Sequence, residues 1–113
     1  MLRSALVLVF ALSSWTLIGC SGGDDDASPS PTPSAACSSY CKDMMATCTG
    51  DNAQYDSESA CLSSCSGFAT TGTDGDAGGN TLQCRVYHLG VAATDAATHC
   101  PHAGADGGGV CVD

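Results

Sequence analysis

The sequence predicts a small disulfide-rich, mainly α domain: a helical hairpin plus a third short helix, joined by long glycine-rich loops. Three observations lead there. From Cys37 to Asp113 the chain carries eight cysteines in 77 residues, far above ordinary usage. The same stretch has only ten large apolar side chains, Met44, Met45, Leu62, Phe68, Leu82, Val86, Leu89, Val91, Val110 and Val112. Ten cannot offset the ordering entropy of such a domain without covalent help. Finally, several cysteines recur at helical spacing, which puts them on single helix faces.

The first helix is the best marked. Cys37, Tyr40, Cys41, Met44, Met45 and Cys48 fall at i, i+3, i+4, i+7, i+8 and i+11, a stripe along one face. Thr49-Gly50 reads as its stop, with glycine at C′. Asp56 or Ser57 then caps a second helix bearing Cys61, Leu62, Cys65 and Phe68. Cys37-Ser-Ser-Tyr-Cys41 and Cys61-Leu-Ser-Ser-Cys65 are both CX3C, 19 residues apart. Folding the helices back antiparallel brings Cys37 to Cys65 and Cys41 to Cys61. A bridge inside one CX3C would hold its Cβ atoms too far apart for relaxed geometry.

The spacing resembles the twin-CX3C helical hairpins of small disulfide-stapled proteins, among them plant hairpin peptides and mitochondrial carrier chaperones. The likeness covers residues 37–65 and implies a scaffold rather than an activity, since that scaffold hosts inhibitors, toxins and chaperones alike.

A third helix is expected over 81–93. Asn80 would cap it with Gln83 three residues on, and Leu82, Val86, Leu89 and Ala93 continue at helical spacing; a strand over 82–88 is the alternative. The remaining four cysteines allow three pairings. If the third helix runs parallel to the first, Cys84 lies about 16 Å along the axis from Cys48, which favours Cys48–Cys100 and Cys84–Cys111. The other two pairings stay open.

The amino-terminal residues read as an address. Residues 1–19 begin with a lone cation at Arg3, followed by an apolar run from Ala5 to Leu12, shorter than the roughly 20 residues that span a bilayer. This is the pattern of a cleaved secretory signal. Leu17-Ile18-Gly19-Cys20 resembles the lipobox of bacterial lipoproteins. That resemblance implies cleavage before Cys20, diacylglycerol on its thiol and an acyl chain such as palmitate on its new amino terminus. It further implies anchorage in the outer membrane, facing the periplasm or the surface, because Ser21 rather than Asp follows.

Residues 20–36 would be a lipidated, disordered tether. Its sequence after Cys20, SGGDDDASPSPTPSAA, has no large apolar group and reaches at most about 55 Å. The run Asp24–Asp26 reads as a solvated, self-repelling stretch, or alternatively as an export address. Residues 37–113 form the cysteine-rich domain, in an oxidising compartment where disulfides persist.

Charge excludes one function class. Loss of the signal leaves Lys42 and Arg85 against twelve acidic residues, a formal charge of −10. Such a polyanion is repelled by phosphate backbones, so nucleic acid is not a partner. The expected partners are the membrane, through the lipid, and an unknown protein or small ligand.

Candidate chemistry concentrates at Arg85, Tyr87, His88, His99, Cys100 and His102. All three histidines lie within 15 residues, and imidazoles there would suit Zn or Cu. No spacing matches a His₃ or Cys₂His₂ template, so no metal is favoured. Cys100 is expected in a bridge, with the histidines on a solvated turn ended by Pro101. Should a metal bind, His88, His99 and His102 are the ligands to consider.

Asp74, Asp76 and Asn80 suggest a calcium loop. The pattern fails at Gly78 and at Arg85, where ligands should stand, and a flexible glycine-rich loop is the better reading. No G-x-S-x-G elbow or phosphate loop occurs, so no enzyme and no cofactor are expected. The reading is therefore a non-enzymatic, lipid-anchored binding module of the bacterial envelope. Its alternatives are a metal- or haem-handling envelope protein using His88, His99 and His102, and a hairpin-type hydrolase inhibitor presenting the 42–60 loop.

Overall fold

The computed structural model describes residues 33–113. The expected signal, the Cys20 lipidation site and the tether up to residue 32 lie outside the described residues. Four helices follow one another: α1 (Ala35–Thr47), α2 (Glu58–Cys65), α3 (Leu82–Ala92) and α4 (Ala96–Ala103). The described residues form no strand, only an isolated bridge between Ala69 and Thr81. The fold is small, all-α and disulfide-rich.

Each helix starts by the same device. Ser34, Ser57, Thr81 and Asp95 hold non-helical backbone, and each side chain accepts from the amide three residues on: Cys37, Ala60, Cys84 and Thr98. Each cap satisfies one of the amides that a helix start leaves without a partner. Residues 35 and 36 belong to α1 rather than to the tether, because Ser34 supplies the cap and two alanines extend it at low cost.

Three local expectations are corrected. Gly50 is not the C′ residue of α1; Cys48 caps it, its amide bonding the Met44 carbonyl at 2.9 Å. Gly50, with φ +58°, instead opens a 3-10 turn over Gly50–Asn52. Thr81 caps α3 in place of Asn80, whose side-chain oxygen accepts from Arg85 at 3.0 Å. Pro101 sits inside α4 rather than ending a turn. As the sixth residue of that helix it forfeits a single intrahelical bond, to the Ala97 carbonyl.

The interior is largely sulfur. Bridges join Cys37 to Cys65, Cys41 to Cys61, Cys48 to Cys100 and Cys84 to Cys111, each with Cα atoms 5.7 Å apart. All eight cysteines are buried. Two bridges staple α1 to α2 and one pins the carboxyl end to α3. Cys48–Cys100 alone ties the α1–α2 hairpin to the α3–α4 pair. Around them pack Tyr40, Met44, Leu82, Leu89, Ala92 and Ala103, with Leu62 and Phe68 at the edge.

Two polar side chains add to this packing. Tyr40 donates to the Ala103 carbonyl and lies 3.0 Å from the Tyr55 hydroxyl. Since the Tyr40 proton goes to the carbonyl, Tyr55 donates to Tyr40. Burial holds the Tyr40 phenol far above its ordinary pKa, and raises Tyr55 as well. Arg85, 2% exposed, donates to the carbonyls of Thr81, Gly104 and Ala105 and to Asn80, all at 3.0–3.1 Å. Its guanidinium also lies 4.0 Å over the Phe68 ring, where the negative ring face attracts it.

Candidate functional sites

Two places have the shape or chemistry of a site. The first is a groove between α1 and α3. Ala36, Ser39, Tyr40, Asp43, Ala46 and Thr47 line one wall, and Leu82, Gln83, Val86, Leu89, Gly90 and Ala93 the other, with Asp74 at the rim. Its volume is about 520 Å³, within the range of small-molecule sites. Short side chains keep it open: alanine or glycine stands at four of the positions where the helices face each other. Gly90 is the telling one. It lies inside α3, and a Cβ built there meets nothing within 4 Å. Glycine weakens a helix relative to alanine, and no contact here requires it.

The second place lies between α3 and α4, where the three histidines converge. His88 and His99 face each other with Nδ1 atoms 3.1 Å apart, and His88 Nε2 lies 3.0 Å from the Ala77 carbonyl. His102 stands edge-on to both rings at 4.9 and 5.4 Å. Its Nδ1 is buried without a hydrogen-bond partner. Desolvation, with His88 and His99 beside it, lowers the His102 pKa and keeps that ring neutral. The histidines therefore do not ride on a solvated turn. They are brought together because α4 forms and packs on α3.

The rest of the expected cluster disperses. Arg85 is engaged in the core, Tyr87 is exposed with its ring against His88, and Cys100 is bridged to Cys48. Asp74 and Asp76 join no metal-sized group among the described residues; Asp76 accepts from the Thr73 amide, and Asn80 from Arg85. The groove was missed because its walls come from segments far apart in sequence. The unexplained Gly90 within a helical pattern was its one signal.

Aurasperone B biosynthesis cluster protein A from Aspergillus niger is 47% identical over 66 residues, 58% of this chain and 22% of the relative. Bifonsecin B biosynthesis cluster protein A from Aspergillus brasiliensis is 46% identical over 66 residues, with the same coverage. The chain thus spans about a fifth of the length of these curated relatives. No solved structure matches.

These relatives are fungal, which overturns the bacterial reading. The bacterial lipobox reading, the lipid anchor on Cys20 as membrane partner, the outer-membrane location and the envelope-module function are withdrawn. The metal- or haem-handling and hydrolase-inhibitor functions set in that envelope go with them. No helix among the described residues is long and apolar enough to cross a membrane. A four-residue pattern behind an apolar run carries too little information to separate a bacterial from a fungal sequence. The BfoA family C-terminal domain model matches residues 17–113, and the chain belongs to that family.

Proposed function

We propose that this chain is a non-enzymatic, disulfide-held domain that binds a neutral, largely apolar small molecule in the groove between α1 and α3, within a fungal secondary-metabolite cluster protein. The observation that carries this is the groove itself, about 520 Å³ and lined mainly by Ala, Leu, Val and Gly. A site of that size and lining gains affinity by taking apolar ligand surface out of water. Asp43 and Asp74 border it, and the chain carries a net charge of −9, so an anion is repelled. The relatives named for aurasperone B and bifonsecin B biosynthesis support a small-molecule setting. The CX3C pairs serve here as the staple that holds α1 in place.

The test uses Nile red, a neutral apolar dye, against the oxidised chain and Gly90→Leu. The native chain is expected to enhance dye fluorescence saturably. Gly90 lines the groove and a Cβ there meets nothing within 4 Å, so Gly90→Leu should abolish that response by occupying the groove and leave the thermal midpoint no lower. Absence of saturable binding to the native chain, or equal affinity in Gly90→Leu, overturns the proposal.

A further inference from the structure

We infer that His88, His99 and His102 form a binding site for one divalent transition-metal ion of the zinc type. The inference rests on the imidazole cluster and is independent of the groove. One nitrogen from each ring lies within 4.8 Å of those from the other two. Metal–nitrogen bonds of about 2.0–2.1 Å in a tetrahedral site place ligand nitrogens about 3.3 Å apart. The His88 and His99 Nδ1 atoms are already 3.1 Å apart.

Hydrogen-bond partners fix which atoms are available. The Ala77 carbonyl can only accept, so His88 carries its proton on Nε2 and presents a lone pair at Nδ1. A carbonyl behind a ligating imidazole sets its tautomer and orientation in this way. The proton between the two rings therefore belongs to His99. On metal binding it leaves Nδ1 while Nε2 of His99 gains one from water, so His99 stays neutral and no net proton is released.

His102 adds the third donor. One of its ring nitrogens lies within 4.8 Å of the donor atoms of the other two rings, and its Nδ1 is buried without a hydrogen-bond partner, so coordination through Nδ1 would remove the cost of leaving it bare. The ring is seated by the turn at Gly108, where a Cβ would come 2.8 Å from His102 Cδ2. Three imidazoles leave a fourth coordination position for water. The Cys84 and Cys111 sulfurs also lie near His88, but they are bonded to each other and offer no thiolate.

The test titrates the oxidised, untagged chain with Zn²⁺ and, for its visible spectrum, with Co²⁺, without reductant. One equivalent is expected to bind at about 1 μM or tighter. His99→Ala and His102→Ala should each weaken binding by about tenfold or more and remove the tetrahedral Co²⁺ bands, with helical circular dichroism retained. Saturation only above about 1 mM, or affinity unchanged in both variants, overturns the inference. If the variants do not fold, nitrogen NMR of the native chain decides it: Zn²⁺ must shift ring resonances of all three histidines, and unmoved resonances refute the site.

Discussion

Removing the Cys48–Cys100 bridge tests how this fold is held. The double variant Cys48→Ala/Cys100→Ala deletes the one disulfide between the α1–α2 hairpin and the α3–α4 pair, which closes a separation of 52 residues. In the chain-entropy relation, a loop of that length restrains the unfolded chain by about 4 kcal/mol at 25 °C. The Cys41–Cys61 bridge spans 20 residues but sits inside the Cys37–Cys65 bridge. Breaking it alone frees a ring of about nine residues, a loss of about 2.6 kcal/mol. Cross-tie removal should therefore be the more damaging, by more than 1 kcal/mol. For a domain of this size its share corresponds to a fall of roughly 16–30 °C in Tm. Guanidinium and thermal melts of both double variants, without reductant, measure the difference. Equal losses, or a larger loss for Cys41→Ala/Cys61→Ala, would show that the cross-tie does not dominate the fold's stability.

Further outcomes follow from single side chains. Arg85→Met should cost about 3 kcal/mol in a guanidinium melt, because the buried Gly104 carbonyl, the part-buried Thr81 and Ala105 contacts and the Asn80 oxygen lose their donor. Gly108→Ala should destabilise by about 1–3 kcal/mol, since its φ is +54° and the new Cβ would meet His102 backbone and ring. Tyr40 gives a pH signature. Its folded pKa lies above the ordinary 10.0, so its contribution is complete below pH 10 and lost above it, as the unfolded chain releases the proton first. Stability should fall there by about 1.4 kcal/mol per pH unit for each such group; Tyr40→Phe removes one group from the slope and Tyr55→Phe reduces the rest.

Legibility in the sequence followed the range of the interactions. The α1 stripe of Cys37, Tyr40, Cys41 and Met44 is a local, periodic signal, and Ser57 is a local cap; both can be seen without the fold. The fold class followed from cysteine density set against the few large apolar side chains. Helix α4 was hidden because His-Cys-Pro-His reads as a turn, although a proline six residues into an eight-residue helix removes only one bond. The histidine cluster was visible as a composition, but its convergence depends on α3 packing against α4. The groove depends on pairing Ala36, Ala46 and Gly90 across two helices, and small residues leave no hydrophobic pattern to read.

Amide NMR of the oxidised chain titrated with biphenyl-4-ol, a neutral aromatic alcohol, shows whether the groove between α1 and α3 takes the ligand. Saturable shifts are expected, concentrated at Ser39, Ala46, Val86 and Gly90. Shifts centred elsewhere, or none at saturating probe, would contradict a ligand site in the groove.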